Sequence, residues 1–138
     1  MNIKISSEEL NIMQMFEYLT DADCLDCFMD KAGNTIFIIV GEGQVKKAIG
    51  KSGRNIKIIE KRTNMKVKVI EYSSDLKEFV KNLIPNVIDV EINNGGESLT
   101  IFIEKYAKPY VLGRGRRNIE IYKRLLNKNF KVKEIFIK

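Results

Sequence analysis

The chain has 138 residues, 44% hydrophobic and 30% charged, a globular balance for one ordinary domain or two small ones that excludes a disordered tail protein. There is no histidine, and Cys24 and Cys27 are the only cysteines, which excludes His-dependent nucleophilic catalysis, His-bearing metal sites and a disulfide framework. The net charge of +6 is unevenly spread: residues 1–45 hold two basic and eight acidic side chains, 46–68 nine and one, 69–104 two and seven, and 105–133 ten and one. Two basic blocks separated by acidic ones predict two equivalent anion-facing surfaces.

No apolar run approaches the roughly 18 residues of a membrane span, so no membrane association is expected. Met1 to Leu10 holds Lys4, Glu8 and Glu9 instead of a continuous apolar stretch, so a secretory leader is not expected and a cytoplasmic location is.

Taken in order, Ser7 is expected to cap a first helix with Leu10, Met13, Met15 and Phe16 on one face. Cys24–Met29 and Thr35–Val40 read as strands about the turn signal Lys31-Ala32-Gly33-Asn34. Next come a short helix over Gln44–Ile49, a turn at Gly50–Gly53, a helix over Arg54–Thr63 and a strand over Met65–Ile70. The order then repeats: helix Asp75–Leu83, strands Asn86–Ile92 and Ser98–Glu104 about Asn93-Asn94-Gly95-Gly96, helix Tyr106–Leu112, a turn at Gly113, helix Arg117–Leu126 and strand Lys131–Ile137.

The residues repeat as well. Ile49-Gly50-Lys51-Ser52-Gly53-Arg54-Asn55-Ile56 aligns with Leu112-Gly113-Arg114-Gly115-Arg116-Arg117-Asn118-Ile119 at an offset of 63. After an insertion of two residues, Lys66-Val67-Lys68 aligns with Lys131-Val132-Lys133. The charge blocks have the same period, so the chain is read as two copies of one unit, residues 1–72 and 73–138.

A helix, a Gly-x-x-Gly turn and a second helix make a backbone clamp. The glycines remove bulk where a sugar-phosphate backbone passes, and the second helix aims its unpaired N–H groups and positive dipole end at the phosphates. Lys46, Lys47 and Lys51 add charge around Ile49, Gly50, Ser52 and Gly53. Arg54, Lys57 and Lys61 fall on one face of the following helix, and Ile56 and Ile59 fall on the opposite face as expected core. Ile58 lies near the basic side, as does its counterpart Ile121, which suggests an apolar patch where an unstacked base could lie. In the second copy the turn reads Gly113-Arg114-Gly115-Arg116, followed by Arg117. Arginine takes the place of the second glycine, which is expected to crowd the phosphate path or to replace the close grip with charge pairing.

The stretch from Ala48 to Lys57 resembles the signature of KH domains, whose Gly-x-x-Gly loop clamps about four nucleotides of a single strand. The helix and two strands before the turn, with one strand after, are similar to the type II arrangement. Two such units in tandem resemble the archaeal NusA-like transcription factors over nearly the whole chain. The resemblance implies an α+β fold of two tandem type II KH domains, each a small three-stranded sheet packed by three helices. It implies single-stranded RNA binding without catalysis, in transcription elongation or termination, with the nascent transcript as partner, RNA polymerase as a further candidate and no cofactor. The alternatives are a ribosomal or ribosome-assembly KH protein, and a protein-interaction module that uses the acidic blocks.

Two rival chemistries are weak. Gly50-Lys51-Ser52 imitates the end of a Walker A loop, but the glycine that loop needs five residues earlier is Val45. Cys24-Leu25-Asp26-Cys27 is half a zinc set and is expected inside a strand, with the two thiols partly buried on opposite faces.

Overall fold

The computed structural model of the protein describes residues 5–138. The fold is α+β, with two three-stranded sheets. The chain divides into two compact units between Ser73 and Ser74.

In the first unit, helix α1 spans Ser7–Thr20. Its N-cap is Ser6 rather than Ser7: the Ser6 hydroxyl accepts from Glu9 N–H, and the Glu9 carboxylate accepts from Ser6 N–H at 2.9 Å. The other Glu9 oxygen accepts from Met29 N–H at 2.7 Å, which ties the helix to the first hairpin. This turns the helix so that Glu9, Ile12, Phe16 and Thr20 are buried, while the expected face residue Leu10 is 48% exposed.

Strands β1 (Cys24–Asp30) and β2 (Thr35–Val40) pair antiparallel, and β3 (Lys66–Glu71) runs parallel beside β2. A parallel neighbour requires a crossover, which here consists of helix α2 (Val45–Ile49), the glycine turn and helix α3 (Arg54–Thr63). The central strand β2 is buried throughout and reads as an uninterrupted apolar run. Ile36, Ile38 and Val40 meet Ile12, Phe16, Ala48 and Ile59 in the core. A fully buried aliphatic or phenylalanine side chain of this kind is worth about 1.5–3 kcal/mol.

The second unit repeats this order with helix α4 (Leu76–Leu83), strands β4 (Val87–Asn93) and β5 (Ser98–Ile103), helices α5 (Lys108–Leu112) and α6 (Arg117–Phe130), and strand β6 (Glu134–Ile137). Asp75 caps α4 by accepting from Lys77 N–H at 3.2 Å. Helix α6 runs four residues past the expected end at Leu126, through the polar run Asn127-Lys128-Asn129, because the Phe130 ring packs on Phe79 at 5.1 Å. The last strand is correspondingly shorter than expected. The register also corrects the repeat: Thr35 pairs with Lys66, while Ser98, its counterpart, pairs with Glu134. The structural equivalent of Lys66-Val67-Lys68 is therefore Glu134-Ile135-Phe136, and Lys131-Val132-Lys133 is a chance match. Among the described residues, no helix is long and apolar enough to cross a membrane.

Candidate nucleic-acid interface

The first turn is built by two glycines with different tasks. Gly50 has φ 80° and ψ 171°, a conformation nearly confined to glycine. The Asn55 amide reaches back over it to donate to the Lys47 carbonyl at 3.1 Å, and a Cβ on Gly50 would stand 2.8 Å from that amide nitrogen. Ser52 and Gly53 both adopt the left-handed conformation, at φ 56° and 75°. A Cβ at Gly53 would meet only the Lys57 Cε at 3.9 Å, so that position is open. Helix α3 starts immediately after, with no side-chain cap and no acidic residue in its first turn. Its N–H groups and positive dipole end are left for an anion.

The predicted site residues of this unit gather around the turn. Lys46, Lys47, Lys51, Ser52, Arg54, Lys57 and Lys61 ring it, and Ile49, Gly50, Gly53 and Ile58 are less exposed. Lys51, Ser52, Arg54, Lys57, Ile58 and Lys61 line one depression of about 340 Å³, which is the basic face with an apolar floor expected from Ile58. Among the described residues, none of these cations forms an ion pair.

A second depression, of about 320 Å³, adjoins the first along α3, sharing Lys57, and is lined by Ile49, Gly53, Ile56, Lys57, Glu60, Val67 and Val69. Sequence reasoning missed it. Ile56 is expected in the core beside Ile59, but only Ile59 is fully buried, and Ile56 lines the groove. Val67 and Val69 could have been found from the alternation of Lys66 to Val69, which places both on one face of the edge strand. Glu60, the single acidic residue of the basic block, accepts from Val67 N–H at 2.9 Å and so fastens β3 along the groove.

The second turn has the same backbone with its residues reordered. Gly113 has φ 75° and ψ 168°, the Asn118 amide donates to the Tyr110 carbonyl at 3.0 Å, and a Cβ on Gly113 would stand 2.7 Å from Asn118 Cγ. The left-handed pair is Gly115 and Arg116, at φ 63° and 61°. Glycine and non-glycine have thus exchanged places relative to Ser52 and Gly53, and Arg116 does not displace the chain. Arg114, Gly115 and Arg116 are exposed, and Gly113 and Arg117 partly buried. The surroundings of this turn differ from those of the first. Ile119 and Ile135, counterparts of the groove residues Ile56 and Val67, are 2% and 6% exposed. Ile121 is buried as well, so the apolar patch expected beside both turns is present beside one. Glu120 stands where the first unit has Lys57, and it sits in the first turn of α6, where it already complements the helix dipole.

The cysteines do not lie on opposite faces. A bulge between Cys24 and Asp26 inserts one residue into β1, so Cys24 and Cys27 both enter the core cluster. Neither thiol is in a disulfide. Cys24 donates to the Asp26 carbonyl at 3.5 Å, and burial, with the Glu17 charge second, pushes its pKa up to about 12, so it stays a thiol at neutral pH. Among the described residues, no three His, Cys, Asp or Glu side chains gather as metal ligands.

A glycine turn that opens an uncapped helix, beside an apolar groove closed by the edge of a three-stranded sheet, is the grip of a KH domain. The family profile described as NusA-like second KH domain matches residues 15–77, which span the first turn and its groove. The chain is 31% identical over 137 residues to the "Probable transcription termination protein NusA" of Methanocaldococcus jannaschii, covering 96% of this chain and 74% of that protein. It is 33% identical to the protein of that description in Methanococcus vannielii, covering 87% and 70%. The crystal structure of APE1850 matches with a TM-score of 0.76 at 33% identity, over 97% of this chain and 100% of that one. The chain belongs to the NusA-like family of KH-domain proteins.

Proposed function

We propose that the protein binds single-stranded RNA, without catalysis, as a NusA-like factor in transcription elongation and termination, and that its two units, residues 1–72 and 73–138, are type II KH domains in tandem. The order helix, strand, strand, helix, helix, strand, with the last strand parallel to the second, supports the type II reading in both units. The nascent transcript is the RNA such a factor meets, and RNA polymerase is the candidate protein partner. The observation that carries the reading is the uncapped N-terminus of α3 at the Gly50–Gly53 turn, beside exposed cations and the adjoining Ile49–Ile56–Val67–Val69 groove. Phosphates rest on the helix terminus and the lysines, and bases lie against the aliphatic floor.

Replacing Lys51 and Ser52 together with Asp tests this. Both side chains are exposed and contribute little to the core, so the fold should survive. Hydrogen bonds to charged groups are worth about 1.5–3 kcal/mol each, so affinity for short single-stranded RNA should fall about a hundredfold in a filter-binding or anisotropy titration. An unchanged dissociation constant in a folded double variant refutes the clamp. Sequencing RNA crosslinked to the protein in cells separates nascent transcripts from ribosomal RNA.

A further inference from the structure

We propose that the second unit carries a stacking platform for bases of single-stranded RNA outside the groove, formed by Tyr106 and Tyr110, with the exposed cations Lys105, Lys108, Arg114 and Arg116 flanking it in sequence. The proposal rests on the RNA-binding reading and adds a contact that the glycine turn does not supply.

Tyr106 is 71% exposed and Tyr110 78% exposed. They are four residues apart on one continuous helical stretch, Lys105–Ala107 running into Lys108–Leu112. The first three residues form a 3-10 turn, and the four-residue spacing keeps both tyrosines on the exposed side of the stretch. The same stretch buries Ala107 and Val111, so its core stripe is complete without either ring. A single exposed tyrosine needs no explanation, but two neighbouring rings that the core does not use do.

The Tyr106 ring and the Tyr110 backbone are held in place. The Tyr106 hydroxyl accepts from the Asn86 amide at 3.4 Å. The Tyr110 carbonyl accepts from Asn118, the bond that locks the Gly113 turn, so the backbone that carries this ring is fixed relative to Arg114 and Arg116. An aromatic side chain has only two side-chain torsions to fix, so it loses little freedom on binding.

Charge selects the occupant. Lys105, Lys108, Arg114 and Arg116 are all exposed, and Glu104 is the only acidic residue from Ser98 to Ile119. Aromatic faces among cations are how sequence-tolerant single-strand binders hold bases while tracking phosphates. In the first unit the counterparts of the two tyrosines are Gly43 and Lys47, so the platform belongs to the unit whose groove residues are buried.

The test compares Tyr106→Ala/Tyr110→Ala with Tyr106→Phe/Tyr110→Phe in the full chain, titrated with short adenine- and uracil-rich RNAs at several salt concentrations. The alanine variant should bind about tenfold more weakly, within the range for losing one or two stacked bases, with an unchanged salt slope. The phenylalanine variant should bind like the parent, since it keeps the rings. RNA should quench tyrosine fluorescence, which no tryptophan obscures in this chain, and ultraviolet crosslinks on the parent should map to Tyr106 or Tyr110. Parent-like binding by the alanine variant, with no crosslink at either tyrosine, overturns the platform while the Lys51/Ser52 result upholds the RNA-binding reading. Equal losses in the alanine and phenylalanine variants overturn stacking in favour of the hydroxyls. Failure of the parent to bind any RNA removes both.

Discussion

The two glycine turns share a backbone path and differ in what surrounds it. In each, the first glycine sits in a conformation that side chains avoid, under an asparagine that bonds back across it. In each, the next two left-handed positions hold one glycine and one other residue, Ser52 with Gly53 in the first and Gly115 with Arg116 in the second. The constant part is therefore the asparagine lock on Gly50 and Gly113, and the variable part is the open position beyond it. Beside the first turn the apolar residues line a groove; beside the second, their counterparts Ile119 and Ile135 are buried, and four exposed cations and two exposed tyrosines lie outside. On the proposed function, one scaffold would thus offer two ways of holding a nucleic acid, a close backbone grip and a charged outer surface.

The lock should give the largest effect when broken. Gly50→Ala and Gly113→Ala each place a side chain in a backbone region that costs about 1–3 kcal/mol. Each also displaces an asparagine amide and its hydrogen bond, worth about another 1 kcal/mol. Each unit should become less stable by about 2–4 kcal/mol, the sum of these two terms, read by hydrogen exchange resolved to that unit. A unit that accepts alanine without loss would show that the two turns are not held in the same way.

The open position should affect binding more than folding. Gly53→Arg gives the first turn the residue of the second. A non-glycine left-handed residue costs about 1–2 kcal/mol, and a Cβ there meets nothing closer than Lys57 Cε at 3.9 Å, so the fold should hold. Preference among short RNAs should shrink, because the backbone can no longer approach closely enough to bring bases to the groove. Removing Arg114, Arg116 and Arg117 should weaken all sequences about equally and flatten the salt dependence by about 0.7 for each phosphate no longer neutralised. If the arginine variant loses sequence preference and Gly53→Arg does not, the division between grip and charge is reversed.

Much of this contrast is readable in the sequence. The Gly-Lys-Ser-Gly turn, its counterpart at Gly113, the basic blocks and the element order come from glycine placement and apolar periodicity, and the bounds of α3 match the expected ones. The differences arise where tertiary contacts choose between locally equal options. Ser6 is the exception, since Ser6-Ser7-Glu8-Glu9 is a Ser-x-x-Glu capping box that the spacing already assigns to Ser6 and not to Ser7, which has Leu10 at that place. A bulge inserts a residue into β1 without any mark in composition, so spacing alone puts Cys24 and Cys27 on opposite faces. Ile56 looks like core because periodicity cannot distinguish a buried face from a groove. Exposure cannot be read from residue type, so nothing in the sequence marks Tyr106 and Tyr110.

The smallest expected difference concerns the bulge, which both units keep. Cys24 and Val87 occupy the same place in it, paired with Val40 and Ile103. Burial chiefly, then the Glu17 charge, raises the Cys24 pKa from 9.0 to about 12. The folded chain therefore holds this proton more tightly than the unfolded one. The stabilisation is full below about pH 9 and declines as pH rises from 9 towards 12, where the unfolded thiol ionises first. One pKa unit corresponds to about 1.4 kcal/mol, so the first unit should lose about 1 kcal/mol by about pH 10 through this group. Other groups titrate in that range, so the measurement is the difference between the parent and Cys24→Val, which borrows the residue of the second unit. Hydrogen exchange protection in the first unit should weaken between about pH 8 and 10 more in the parent than in the variant, and protection in the second unit should respond equally in both. The same burial should make Cys24 react slowly with a thiol reagent at about pH 8. Fast labelling, or identical alkaline behaviour of parent and variant, would show that the bulge leaves Cys24 accessible and that the two units do not differ here.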